Sequence, residues 1–501
     1  MHVVSLDGNS LNLEAIRKVA RQGVQVVISQ SQAARIREAR RIVEKRLQGE
    51  EVVYGITTGV GKLADTRISA SEASQLQHNI VLSHATGMGA PLPTDVTRAI
   101  VLLRANTFAK GYSGVTLELT QFLVELLNRG VHPIVYELGS VGASGDLAPL
   151  AHVGLTMIGE GDVEYKGQVR QAAEVLREVK LKPIALAPKE GLSLVNGTQA
   201  TLGILALIVI DAHRLAHLAD IAAAMSLDAL LGSPVGFDDR IHSLRPHAGQ
   251  REVAKRLTRL LEGSQIRESH RECQKVQDAY SLRCIPQVHG ACRDLIGYAR
   301  SVIEIEINSA TDNPLVFLED DEILSGGNFH GEPLAFAGDA LSMALSEFGG
   351  ISERRVARLL DASSSQLPPF LTKRSGLHSG FMIAHLTSVS AVAENKILSH
   401  PASVDSLPTS GGQEDHVSMS CTSALKAWKI KENLETILSI EFLCAAQALD
   451  LLRPLKSSMR LERVHSTIRE TIPVLEGDRP LYKDIHAMKK LLKEDDSLQV
   501  S

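Results

Sequence analysis

The sequence predicts a mainly α-helical protein, a bundle of long helices with a smaller N-terminal lobe. One observation is the stretch ENLETILSIEFLCAAQALDLL at 432–452, where Leu434, Ile437, Leu438, Ala445, Ala448, Leu449 and Leu452 recur at spacings largely of three and four. Comparable patterns occupy roughly 200–231, 334–360 and 378–398, all longer than an average helix of ~11 residues. Some are apolar on more than one face, as suits the centre of a bundle or a subunit interface. The composition agrees: 44% of the 501 residues are hydrophobic and 22% charged, which permits a large core and argues against disorder.

The elements follow in chain order. The N-terminal MHVVSLDGNSLNLEAI lacks the basic flank and continuous apolar run of a secretory signal, so a cytoplasmic location is expected. Residues 31–49 set Ala34, Ile36, Ile42, Val43 and Leu47 near one stripe opposite charges, with Gly49 as a stop, which predicts an amphipathic helix. EEVVYGITTGVGKLAD at 50–65 reads as a short strand running into a loop. FAKGYSG at 108–114 interrupts two helical patterns and suggests a boundary, giving an N-terminal lobe at 1–112 and a helical body at 113–501. The run TLGILALIVI at 201–210 stops at Asp211, too short to span a bilayer, so no membrane partner is expected.

Charge and cysteines exclude other classes. The formal charge is -5, without a basic run interleaved with aromatics, so nucleic acid is not an expected partner. Cys273, Cys284, Cys292, Cys421 and Cys444 form no C-x-x-C pair, which argues against a disulfide framework and against a metal site.

The informative segment is VGASGDLAPL at 141–150. A nucleophile elbow needs G-x-S-x-G, and Asp146 stands where the last glycine belongs. A dinucleotide fingerprint fails as well, because Gly139, Gly142 and Gly145 are spaced by threes without a strand-helix-strand context. What remains is a glycine-rich turn into a helix, with Asp146 as N-cap and Pro149 in the first turn. The helix start would bring partial positive charge to the turn.

Read whole, GSVGASGDLAPLAH resembles the signature of the histidine and aromatic amino acid ammonia-lyases, and the resemblance runs from about residue 5 to about 490. It implies a helical fold like that of fumarase and aspartase, and a homotetramer with sites shared between subunits. It also implies that Ala143, Ser144 and Gly145 cyclise. The Gly145 nitrogen attacks the Ala143 carbonyl and two waters leave, giving a 4-methylideneimidazol-5-one, so that no dissociable cofactor is needed. The residue types suit this chemistry: Gly145 has no Cβ to obstruct a compressed turn, and Ser144 supplies the departing hydroxyl. Removing ammonia from an amino acid requires an electron sink and a base, and ordinary side chains supply only the second.

Further motifs return in the family's order. YGITTGVGKLAD makes Tyr54 the base for the β-proton, and LVNGTQA brings Asn196 to the imidazolone. QDAYSLRCIPQVHG carries Gln277, Tyr280 and Arg283; a guanidinium grips a carboxylate through paired hydrogen bonds. SGGNFHGEP brings Phe329 beside the electrophile. Taken singly, each has a plainer reading: packing for Tyr54 and Phe329, a helix cap for Asn196, a surface ion pair for Arg283.

Substrate choice rests on two stretches. In NIVLSHATG, Ser83-His84 is similar to the pair of the histidine-type members, though His84 alone would read as a buried histidine. In QEDHVSM, Glu414 stands where phenylalanine-type members tend to carry an amide. A carboxylate accepts an imidazole N–H, whereas a phenyl ring leaves it unpaired at about 1–3 kcal/mol. The expected reaction is therefore elimination of ammonia from the amino acid L-histidine to give trans-urocanate, the first step of histidine degradation. The alternatives are a phenylalanine or tyrosine ammonia-lyase, an aminomutase, a serine hydrolase using Ser144, and a non-catalytic scaffold. The chain also departs from the family: Gly411-Gly412 replaces a frequent Ala-Asn, and Val60 a common phenylalanine. Two glycines are expected to loosen the loop that carries Glu414.

Overall fold

The computed structural model describes residues 3–49, 51–272, 276–494 and 498. It is mainly α-helical, and among the described residues the strands are short and form only two- and three-stranded sheets. The long patterns are realised as Gln199–Ala229, Glu332–Leu360, Met382–Leu398 and Ser420–Leu451. The apolar run expected to end at Asp211 continues in one 31-residue helix, long and apolar enough to cross a membrane, with 72% of its apolar window buried within the protein. The helix is the one the 200–231 pattern predicts, and within it the Asp211 carboxylate pairs with Lys431 at 3.5 Å. Cys284, Cys292, Cys421 and Cys444 are free; Cys273 lies outside the described residues.

Two compact units divide the chain: residues 1–210, 299–339 and 401–425 form the first, and residues 211–298, 340–400 and 426–501 the second. Residue 112 lies inside the first unit. The 108–114 interruption connects helices Thr94–Ala109 and Leu117–Arg129, which pack on each other.

In the first unit, Val3–Leu6 and Gln25–Ile28 pair in parallel, joined through helix Leu13–Gln22, which Gly23 ends at φ 67°. The amphipathic helix spans Gln30–Gln48 under a Ser29 cap. Its buried stripe is Ile36, Ala39, Arg40, Ile42 and Val43; Ala34 is exposed. The strand expected within 50–65 is absent from residues 51–65. Thr57 and Thr58 take its backbone donors instead: the Val53 N–H donates to Thr57 Oγ1 at 2.8 Å and the Gly55 N–H to Thr58 Oγ1 at 3.1 Å. Such local bonds compete with strand pairing.

Three helices of this unit carry the site. Ala73–His84, Leu147–Ile158 and Glu190–Val195 pack on one another around Ile80, Ala151, Leu192 and Val195. Their approach is close: a Cβ on Gly191 would run into the Gln77 carbonyl, and Gln77 Oε1 accepts the Leu192 N–H at 3.0 Å.

The second unit has a polar interior. Asp220 pairs with His289 at 2.7 Å and Arg293 at 2.5 Å, and Arg355 with Glu441 at 2.5 Å. Asp220, His289, Arg355 and Glu441 are fully buried, an arrangement stable only because each charge has a partner.

Candidate active site

The Ala-Ser-Gly turn is clamped from three sides. Gly142 and Gly145 hold φ of 68° and 79°, a region open to glycine. Neither has room for a side chain: a Cβ on Gly145 would run into the Gly197 backbone, and one on Gly142 into Ser418 and Ser420. The Asp146 N–H donates to the Gly197 carbonyl at 2.7 Å. The Gly142 carbonyl accepts from the Gly331 N–H at 3.1 Å and Ser418 Oγ at 2.8 Å, and the Met419 N–H donates to the Val141 carbonyl at 2.8 Å.

Asp146 precedes helix Leu147–Ile158 as expected, but its carboxylate makes no cap bond there. It accepts instead from Ser140 Oγ at 2.7 Å and from the N–H and Oγ1 of Thr201 at 2.7 and 2.9 Å. It thus satisfies the first turn of Gln199–Ala229, whose free N–H groups need an acceptor. Burial raises its pKa above the usual carboxylate value, with the Thr201 and Ser140 bonds opposing.

Ser144 is held at both ends. Its carbonyl accepts Asn196 Nδ2 at 2.6 Å, and its hydroxyl donates to Glu414 Oε1. Glu414 Oε2 accepts Thr409 Oγ1 and Ser410 Oγ, each at 2.5 Å. Burial pushes the Glu414 carboxyl up, but bonds from Ser144, Ser410 and Thr409 and the nearby His84 bring it below the usual value. His84 Nδ1 lies 2.8 Å from the Ile80 carbonyl and 3.1 Å from Ser83 Oγ. Burial lowers its pKa, opposed by the Ile80 bond and the Glu414 charge.

Tyr54 packs against Ile80, Ala151, Leu192 and Val195, on the helices that carry His84, follow the turn and precede Asn196. The Gly61 N–H donates to its hydroxyl at 2.9 Å. Phe329 is half-buried, two residues before the Gly331 N–H that reaches Gly142. The Gly411-Gly412 pair is a defined turn with φ of 63° and 81°, closed by the Thr409 N–H on the Glu414 carbonyl at 2.9 Å.

Gln277, Tyr280 and Arg283 belong to the second unit. Gln277 is exposed, as is Tyr280 at 70%. The Arg283 guanidinium lies 4.8 Å from the Tyr280 ring centre, and its buried Nε has no hydrogen-bond partner among the described residues.

The structure adds residues that motif reading missed. Arg104 reaches the Asn196 carbonyl, Thr198 Oγ1 donates to Glu306 at 2.7 Å, and Ser418 holds Gly142. Arg104 carried a signal, a lone charge in the apolar AIVLLRANTFA; Glu306 and Ser418 carried none. Chemically, the Ser144 hydroxyl faces a carboxylate rather than an imidazole, so it lacks the base of a serine hydrolase.

Known proteins match the chain over nearly its whole length. A family model described as aromatic amino acid lyase matches residues 11–470. A histidine ammonia-lyase of Koribacter versatilis is 51% identical over 506 residues, covering 98% of each chain. The crystal structure of histidine ammonia-lyase from Trypanosoma cruzi superposes with a TM-score of 0.92 at 44% identity, covering 99% of this chain and 94% of that one. A tyrosine aminomutase from Streptomyces globisporus gives 0.93 at 38% identity, covering 99% and 98%. With matches of this extent, the chain belongs to the aromatic amino acid lyase family.

Proposed function

We propose that this carbon–nitrogen lyase is a histidine ammonia-lyase, eliminating ammonia from L-histidine to give trans-urocanate, with an electrophile built from Ala143, Ser144 and Gly145. The observation that carries the substrate is Glu414: with Oε2 engaged by Thr409 and Ser410, Oε1 is left to the Ser144 hydroxyl. Once that hydroxyl has departed, Oε1 is a free acceptor on a half-buried carboxylate, suited to the substrate imidazole N–H.

The turn fits the cyclised group. Its glycines have no room for Cβ atoms, Gly145 is pressed on Gly197, and Asn196 already donates to the carbonyl that the ring would retain. A methylidene-imidazolone there supplies an electrophilic carbon, the electron sink that departure of the α-ammonium requires.

The chain's own residues do the rest. Arg283 holds the carboxylate by paired hydrogen bonds, with Gln277 and Tyr280 beside it and Phe329 packed by the electrophile. His84, kept neutral by burial, completes the imidazole pocket with Glu414. Tyr54 takes the β-proton, with the Gly61 N–H donating to its oxygen at 2.9 Å. Exposure of Gln277 and Tyr280 supports a homotetramer with shared sites. A cytoplasmic enzyme without a dissociable cofactor or metal completes the proposal.

Intact mass and a substrate panel test this. The wild type should be two waters lighter than its sequence and release an ultraviolet-absorbing acid from histidine, with little from phenylalanine or tyrosine. Ser144→Ala should be folded, full-mass and inactive. A full-mass wild type sinks the electrophile; accumulation of a β-amino acid would make the protein an aminomutase.

A further inference from the structure

Arg104 lies within helix Thr94–Ala109, fully buried, and the chemistry above leaves it without a task. Its guanidinium serves two acceptors: Nη1 donates to Gln199 Oε1 at 2.6 Å and Nη2 to the Asn196 carbonyl at 2.8 Å. These acceptors flank Gly197 in sequence. A Cβ on Gly197 would run into Arg104 Nη1, so the guanidinium lies directly against that residue. Gly197 in turn meets the site: it blocks any Cβ on Gly145, and its carbonyl accepts the Asp146 N–H at 2.7 Å. A chain of contacts therefore runs from the guanidinium through residues 196–197 to the Ala-Ser-Gly turn.

The residues around Arg104 are bonded to one another, although its own buried Nε has no partner among the described residues. Gln199 Nε2 donates to Thr311 and Thr107 at 2.7 and 3.1 Å, and the Phe108 ring centre lies 4.6 Å from the guanidinium. A planar fork can hold two acceptors at fixed spacing, whereas a lysine ammonium is a single point on a flexible stem. The side chain is thus matched to fixing a backbone segment.

We propose that Arg104 is a positioning residue for formation of the electrophile. Acting through Asn196 and Gly197, it keeps residues 196–197 against Gly145 and so holds the Gly145 nitrogen within reach of the Ala143 carbonyl carbon. This rests on reading residues 143–145 as a cyclising tripeptide. In the closure the Gly145 nitrogen bonds to the Ala143 carbonyl carbon. The Ala143 oxygen leaves as water with the amide hydrogens of Gly145 and Ser144, leaving C=N. The Ser144 hydroxyl leaves with its Cα hydrogen as the second water, leaving C=C.

The test follows intact mass through a pulse of new synthesis for the full-length wild type, Arg104→Met and Arg104→Lys, with circular dichroism and Tm reporting the fold. Wild type should lose two waters. Folded Arg104→Met should lose them about 100-fold more slowly, as expected when reacting groups shift by about an ångström, with Arg104→Lys in between. A purely structural role would lower Tm yet leave dehydration of folded chains as fast as wild type, and that result overturns the inference. Should Arg104→Met not fold, the same comparison on Arg104→Lys decides. A wild type at full mass removes the cyclisation reading itself, whereas a dehydrated wild type with equally fast variants removes only the role of Arg104.

Discussion

Two regions supply the proposed chemistry, and they differ in how many hydrogen bonds the chain itself places on the groups that would act. Around Ser144, the carbonyls of Gly142, Ser144, Asn196 and Gly197 and both oxygens of Glu414 have donors, and only Asn196 Oδ1 and the Arg104 Nε behind it are buried without a partner among the described residues. Around Arg283, the buried Nε has no partner among the described residues, and Tyr280 and Gln277 are exposed. The first region is preorganised by its own fold. The second offers donors to something else, and a substrate carboxylate suits a guanidinium. Substitutions should therefore separate: changes in the first region affect chemistry and stability together, and changes in the second affect binding alone.

The largest effect is expected from Asn196→Ala, which removes the donor on the Ser144 carbonyl. Loss of a preorganised donor of this kind costs about 100- to 1000-fold in kcat. If Asn196 only ends helix Glu190–Val195, kcat should stay within a few-fold while Tm drops. Next comes Arg283→Met, with KM for histidine raised about 10- to 100-fold, the equivalent of a hydrogen bond to a charged group worth about 1.5–3 kcal/mol. Tm should move little, and a large fall would show that the second region is also structural.

Thr409→Val tests the first region more finely. It deletes one donor to Glu414 Oε2, worth about 1 kcal/mol, so kcat/KM should fall about fivefold. It also carries a pH signature. Against burial, hydrogen bonds from Ser144, Ser410 and Thr409 hold the Glu414 carboxyl below its usual 4.5, and those from Thr409 and Ser410 remain once the Ser144 hydroxyl has departed. The contribution of a carboxylate lowered in this way is present above its usual value and lost as pH falls through the folded-state pKa. With one lowering contact gone, the carboxyl rises toward its usual range, and the acid limb of kcat/KM should move to higher pH. An unmoved limb would mean that another group sets it.

The same contrast explains what the sequence disclosed. The long helices were legible because apolar periodicity is local, whereas the pairing of Asp211 with Lys431, 220 residues later, was not. The Ala-Ser-Gly turn was legible only through the family resemblance of GSVGASGDLAPLAH, since taken alone its residue types read as a glycine-rich turn into a helix. Its supports were not. Asp146 looks like the cap of its own helix but serves Thr201 on another, and Arg104 acts on a carbonyl 92 residues away. The strand expected after residue 50 failed for the opposite reason: threonine hydroxyls claimed the backbone before any partner strand could.

Gly411→Ala should have the smallest effect and probes the departure from the family pattern. A loosened loop was the expectation for two glycines, yet both occupy left-handed φ in a closed turn, beside Ser410 at φ 53°. Space is not the obstacle, since a Cβ on Gly411 would meet only Lys62 Cγ at 3.8 Å. The cost is conformational, roughly 1–2 kcal/mol for a residue with a Cβ at such a φ. The result should be a slightly lower Tm and, if the turn aims Glu414, a kcat/KM for histidine reduced about fivefold by about 1 kcal/mol of misplacement. Gly412→Asn should be milder, because asparagine tolerates this region, and together they restore the family's Ala-Asn. A double variant with full kcat/KM but reduced Tm would show that Thr409 and Ser410 alone hold the carboxylate, leaving the glycines to shape only the turn.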